Sequence, residues 1–122
     1  MAKVDIKRVE KPWGYELIWA KNQKYAGKIL HINKGQKLSL QHHKIKEETI
    51  LVFKGKIEFI YENKKTGKLE TMILSEGEAH HIEPLHKHRM IAIEDSDLFE
   101  VSTPELDDVV RFEDSYGRAP GN

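Results

Sequence analysis

Apolar residues recur at every second position of this chain, in short runs broken by Gly, Pro, Asn and Asp. That period marks strands with one buried face, and the breakers mark turns. Trp13, Tyr15, Leu17 and Trp19 alternate, and Tyr25 to Ile32 reads as a strand closed by the turn Asn33-Lys34-Gly35. Leu38 to His43 follows. Glu48 to Phe53 ends at Gly55, and Ile57, Phe59 and Tyr61 alternate again. Asn63-Lys64-Lys65-Thr66-Gly67 reads as a hairpin turn. Leu69 to Leu74, Ala79 to Ile82, His88 to Ile93 and Leu98 to Val101 complete the series. No helical period shows between residues 13 and 103; only Pro104-Glu105-Leu106-Asp107-Asp108 reads as one helical turn. Residues 1–10 and 119–122 read as loosely held ends. Many short strands at regular spacing predict an all-β sandwich or barrel.

A length of 122 residues fits one domain. With 39% hydrophobic and 33% charged residues, its core is lean and its surface heavily charged. Lys+Arg and Asp+Glu are both 20, so formal net charge is zero. That balance argues against a nucleic-acid binder working by bulk charge, while leaving room for a local basic pocket for a phosphorylated small molecule. The absence of Cys rules out disulfides, thiolate-bound zinc and cysteine nucleophiles. No apolar run approaches the ~20 residues of a membrane span. Met1 to Asp5 lacks the apolar stretch of a signal peptide, so no membrane partner and a soluble, cytoplasmic protein are expected.

Seven histidines are many for this length, and the question is which share a face. Residues i and i+2 of a strand point the same way, so Gln41 and His43 can aim at a common point while His42 turns away. Glu48 follows the loop Lys44 to Glu47, and a hairpin returning from that loop would bring it beside His43. The spacing is Gly35-x5-Gln41-x-His43-x4-Glu48-x6-Gly55, with the glycines where the chain turns. A second cluster runs from Gly77 through His80, His81, Glu83 and His86 to His88 and Arg89. Two imidazoles, a carboxylate and an amide oxygen suit a divalent first-row metal.

These two clusters resemble the two motifs of the cupin superfamily, a double-stranded β-helix barrel of jelly-roll type with little helix. In cupins the first motif supplies His-x-His and Glu to one metal and the second supplies another His. Here Gln41 stands for the first His, as in the phosphomannose isomerases, above all the cupin domain that ends the bifunctional mannose-6-phosphate isomerase/mannose-1-phosphate guanylyltransferases. Lys11-Pro12-Trp13-Gly14 resembles that family's Arg-Pro-Trp-Gly. Leu38-Ser39-Leu40-Gln41 matches its Leu-Ser-Leu-Gln. Asp108 to Arg118 resembles its closing Asp-Ile-Val-Arg-Phe-Glu-Asp-x-Tyr-Gly-Arg. The resemblance covers about residues 11 to 118. Lys46 stands where the family has Arg, and Ile82-Glu83-Pro84-Leu85-His86-Lys87-His88-Arg89 replaces Ile-Pro-x-Gly-x-Pro-His-Arg.

The resemblance implies a metal held by Gln41, His43, Glu48 and His88. The ion implied is zinc, with manganese, nickel, cobalt or iron as alternatives. It implies isomerisation of mannose 6-phosphate to fructose 6-phosphate through an enediol. No Gly-rich nucleotide loop precedes Trp13, so guanylyltransferase activity is not expected. Lys28, in a run matching the family's Tyr-x-x-Lys from Tyr25, and Arg89 are the expected catalytic residues; His86 and Glu83 are further candidates for the base. Lys46, His86, Tyr116 and Arg118 are the expected substrate-binding residues, with Lys46, Arg89 and Arg118 as cations for phosphate. Arg89 needs a bulge or a place at the rim, because its neighbour His88 points inward. His31, His42, His80 and His81 read as structural or exposed, and Trp13 and Trp19 as core or interface aromatics. Small cupins pair, which implies a homodimer. Two other classes stay open: a cupin dioxygenase, for which two His and a carboxylate on iron would serve, and a non-catalytic sugar-binding cupin.

Overall fold

The computed structural model describes residues 1–118. Eleven strands follow one another: β1 Lys7–Lys11, β2 Gly14–Lys21, β3 Ala26–Ile32, β4 Leu40–His42, β5 Glu48–Lys54, β6 Lys56–Glu62, β7 Leu69–Ser75, β8 Ala79–Ile82, β9 His88–Ala92, β10 Ser96–Ser102 and β11 Val110–Glu113. They form a six-stranded sheet, β1-β2-β3-β10-β5-β8, facing a five-stranded sheet, β11-β4-β9-β6-β7. Every pairing is antiparallel. Among the described residues there is no helix, and so none long and apolar enough to cross a membrane.

The alternation read from the sequence becomes the inside of this two-layer barrel. Leu30, Ile32, Ile50, Val52 and Leu98 from one sheet meet Ile57, Phe59, Leu74, Met90 and Ala92 from the other, and Trp13 closes the cluster from the β1–β2 turn. Burying such side chains contributes roughly 1.5–3 kcal/mol each relative to exposure. These residues fill one part of the interior, and polar side chains line the rest. Close approach requires glycine at several turns and strands, two of which show how. Gly55 turns β5 into β6 at φ 91°, with the Ser96 hydroxyl where a Cβ would go. Gly27 lies under the Trp19 ring, 2.7 Å from where its Cβ would stand.

The structure corrects three sequence expectations. Residues 7–11 are not loose but form β1, in full register with β2. Val9 is the sole apolar residue of that strand, so no alternation announces it; backbone pairing and the tight turn at Pro12–Trp13 hold it. Val110–Glu113 is a strand, β11, which has no strong pattern because its inward residue is Arg111. Residues 104–108 form turns rather than a helical turn, because the Asp108 carboxylate binds the 44–46 backbone and the chain enters β11 two residues later. The loose end expected at 119–122 lies outside the described residues.

Candidate metal centre

Gln41 on β4 and His88 on β9 are directly opposed across the β4–β9 pair. His43 lies just past β4. Glu48 does not return beside it in a hairpin, as the spacing suggested. Residues 43–47 instead cross from the five-stranded to the six-stranded sheet, where Glu48 opens β5. His43 and Glu48 therefore meet across the barrel interior.

His43, Glu48 and His88 are each at most 5% exposed. Their donor atoms lie within 4.8 Å of one another, the one such cluster among the described residues. The Glu48 Oε1 atom stands 3.8 Å from His43 Nε2 and 3.7 Å from His88 Nε2. These distances exceed a hydrogen bond. They also exceed, by a few tenths of an ångström, the roughly 3–3.5 Å between donors sharing an ion at about 2.1 Å.

The far side of each ring decides its tautomer. His43 Nδ1 donates to the Asp108 carbonyl at 2.6 Å, and His88 Nδ1 donates to the His86 carbonyl at 2.8 Å. A carbonyl can only accept, so both Nδ1 atoms carry hydrogen and both Nε2 lone pairs face Glu48. Two neutral imidazoles and one carboxylate converging in this way fit a divalent cation. Gln41 lines the same space with its amide, 3.4 Å from the Ser39 carbonyl.

Burial opposes charge on Glu48, but the Lys46 ammonium beside it favours the charged form and holds the carboxyl below the usual range. Burial also pushes His88 down to about 4, which favours the neutral ligand form. Lys46 is 4% exposed, its ammonium 2.8 Å from Glu48 Oε2 and 3.1 Å from Glu100 Oε2. Burial lowers its pKa, yet Glu100 and Glu48 raise it above the ordinary lysine value. Lys46 is thus committed to two buried carboxylates rather than standing at the rim as a phosphate cation. Burial, and then Glu48, push the Glu100 carboxyl up to about 7.

The centre sits in a cavity of about 550 Å³. Lys28 lines it, its ammonium 3.2 Å from Glu16 Oε2, with Lys11 4.0 Å from the other oxygen. Arg118 lines it too, forked onto Asp114 through two contacts of 2.9 Å. The remaining expected residues lie elsewhere. β9 runs without a bulge against β6, so Arg89 points outward, donating to the Leu38 and Glu113 carbonyls at 2.8 and 3.2 Å. The His86 ring lies with Glu83 in a separate hollow beside Phe59 and Tyr61, 3.6 Å from the Glu83 carboxylate. Its carbonyl, not its ring, serves the centre. Tyr116 donates to Gln36 at 2.6 Å and packs on the core. His42 meets Phe112 edge-on, His31 binds Asp97, and His81 binds Glu47.

Sequence reasoning assigned no site role to four residues of the centre: Glu16, Glu100, Asp108 and Arg111. Arg111 opposes Gln41 from β11, lines the cavity, and keeps its Nε buried without a hydrogen-bond partner among the described residues. Burial, then the nearby Arg118, lowers its pKa. The signal for Arg111 and Asp108 was present in the closing motif. Glu16 and Glu100 carried none beyond lying on strands.

Residues 2–114 match the family described as mannose-6-phosphate isomerase C-terminal. The mannose-1-phosphate guanylyltransferase ManC of Salmonella typhimurium is 34% identical over 118 residues, covering 92% of this chain and 23% of that protein. The mannose-1-phosphate guanylyltransferase of Escherichia coli is 33% identical over the same share. This chain thus spans about a quarter of the length of these relatives. Among solved structures, KdgF from Halomonas sp. superposes with TM-score 0.71 at 22% identity, covering 84% of this chain and 90% of that one. Oxalate decarboxylase from Bacillus subtilis gives 0.76 at 15%, covering 88% and 30%. These likenesses concern the fold. The barrel is a cupin, and the chain belongs to the mannose-6-phosphate isomerase C-terminal family.

Proposed function

We propose that this chain is a metal-dependent sugar-phosphate isomerase, with mannose 6-phosphate to fructose 6-phosphate as its reaction. The observation carrying this reading is the pair of Nε2 lone pairs turned on Glu48 at one end of a cavity whose walls hold Lys28, Arg111 and Arg118. Family membership and the mannose-phosphate chemistry in the names of the relatives agree with it.

Gln41, His43, Glu48 and His88 would hold the ion, zinc by the resemblance. A divalent ion there supplies Lewis acidity for the oxygens at C1 and C2, where negative charge develops as the proton leaves. The chain's own groups do the rest. Isomerisation needs a base for the proton at C2 and an acid that returns one at C1. The Glu16–Lys28 pair offers a carboxylate and an ammonium side by side in the cavity wall. Arg111 and Arg118 are guanidinium forks, whose planar donors match phosphate oxygens. Lys46 keeps Glu48 ionised and its Oε1 atom free for the ion.

The assay follows mannose 6-phosphate to fructose 6-phosphate with added zinc, cobalt or manganese beside a chelated control. Metal-dependent turnover is expected, abolished in His88→Ala. Arg111→Gln should raise KM more than it lowers kcat, as for uniform phosphate binding. No turnover of any hexose or pentose phosphate under any of these metals sinks the proposal. A second reading draws on the triad alone, since two His and a carboxylate also suit iron and oxygen. Iron content with oxygen uptake would favour it.

A further inference from the structure

Residues 114–118 follow β11 as a turn that belongs to neither sheet. The Asp114 carboxylate accepts the Arg118 backbone N–H at 2.7 Å, and Gly117 takes a left-handed φ of 77°. Tyr116 ties the turn to Gln36. These contacts would suffice for a tail that only covers a sheet edge. The same carboxylate does more. It also accepts from the Arg118 side chain, Nε on Oδ2 and Nη2 on Oδ1, both at 2.9 Å. The Asp114 side chain is fully buried, whereas that of Arg118 is 25% exposed and lines the cavity. A guanidinium carries five N–H donors in one plane. The fork uses two of them along one edge, so the opposite edge, with both Nη1 donors and one on Nη2, stays available.

Arg111 lines the same cavity from β11, with its Nε buried and lacking a hydrogen-bond partner among the described residues. Burial and Arg118 disfavour its charge, and Asp114 favours it. Two guanidiniums in one wall with no carboxylate near them would repel and turn apart. We propose that Asp114 is a positioning residue for the substrate's phosphate: its buried carboxylate fixes Arg118 with the outer N–H edge presented and keeps it beside Arg111, so that the two guanidiniums clamp one phosphate group. Two cations and one carboxylate leave a single positive charge in this wall, which a phosphate monoester complements. Planar forks match phosphate oxygens bidentately, and an arginine already held in place loses little freedom when the ligand arrives. Asp114 itself does not line the cavity and acts through Arg118. This assignment rests on the sugar-phosphate reading above.

The test takes two measurements on the full chain. One is calorimetric binding of inorganic phosphate, zinc-loaded and chelated, so that any contact of phosphate with the ion is separated. The other is KM and kcat for mannose 6-phosphate with zinc. Asp114→Asn should weaken phosphate binding about tenfold and raise KM by a similar factor, with kcat within about twofold, because charge-assisted bonds are lost equally before and during the reaction. Arg118→Lys keeps the charge but not the fork, and should lose as much. Asp114→Asn/Arg118→Gln should bind no more weakly than Arg118→Gln alone, since Asp114 acts through Arg118. Glu113→Gln removes a neighbouring carboxylate that is 67% exposed, and should leave both measurements unchanged. Circular dichroism and bound zinc report folding, and if Asp114→Asn does not fold, Arg118→Lys decides. Phosphate affinity kept in a folded Asp114→Asn or in Arg118→Lys overturns the assignment, as do additive losses in the double variant. A wild type that binds phosphate, loses it on these substitutions and yet turns over no sugar phosphate strikes the isomerase reading and leaves the clamp standing.

Discussion

Asp108 does two jobs with one residue. Its carbonyl holds the His43 ring, and its carboxylate accepts from the backbone N–H groups of Lys44, Ile45 and Lys46 at 3.1, 2.7 and 2.9 Å. The loop carrying the chain from His43 to Glu48 is thereby pinned at its start. Hydrogen bonds from Lys46 and Ile45 pull the carboxyl from its ordinary 3.8 to about 2. A depressed carboxyl contributes stability above its unfolded value and loses it as pH falls through its folded one, here between about 4 and 2. Asp108→Asn should remove that acid-dependent part, roughly 1 kcal/mol after allowing for solvent, in urea titrations at successive pH values. The backbone carbonyl that holds His43 remains in this variant, so zinc binding, read in competition with a chromogenic chelator, should weaken by less than about tenfold, through the loosened 44–46 loop alone. Lys46→Met should cost about 3 kcal/mol, since Glu48 and Glu100 lose their buried partner. Lys46→Met/Glu100→Gln should recover part of that loss, and additive denaturation energies would refute the coupling. Leu85 is the one non-glycine described residue at positive φ, 65°, and it occupies the place of the family's Gly. Its N–H donates to the His43 carbonyl at 2.7 Å, which holds the strained turn in place. Leu85→Gly should stabilise the fold by up to about 1 kcal/mol of relieved strain, read as a slightly raised melting temperature.

At the scale of elements, β1 is the wall that pattern reading missed. Lys7, Val9 and Lys11 line the cavity from it, whereas the candidate metal ligands come from β4, the 43–47 crossing, β5 and β9. Removing residues 1–11 should therefore leave zinc content near one per chain while weakening sugar-phosphate binding. Metal analysis beside calorimetric titration with mannose 6-phosphate separates the two, and loss of zinc would show that β1 supports the centre itself. The crossing at 43–47 explains why a hairpin reading failed. Short loops usually join neighbouring strands, but this one is anchored to Asp108 and to Thr103, whose hydroxyl accepts from Glu47 N–H at 3.0 Å. Those partners lie about 60 residues away and are invisible to local pattern.

For the whole molecule, an ion held by the buried His43–Glu48–His88 cluster would be a part of stability. A ligand binding the folded state alone stabilises it by about 2.7 kcal/mol at a hundredfold excess over Kd. Zinc should raise the melting temperature by several degrees, and a chelator should reverse it. An unchanged transition would mean that no ion occupies the centre.

Local pattern specifies the all-β class, nine of the eleven strands of the described residues to within a few positions, and the motif spacing of Gln41, His43, Glu48 and His88. Those features are local: alternation reports one buried face, turn residues report φ, and i, i+2 parity already turned His42 and Arg89 outward. Tertiary structure alone decided that His43 and Glu48 meet across two sheets, that Lys46 is consumed by Glu48 and Glu100, and that Arg111 rather than Arg89 looks into the cavity. These depend on which strands pair and which carboxylates come within ion-pair distance, and folding settles that by non-local contacts between residues far apart in the chain.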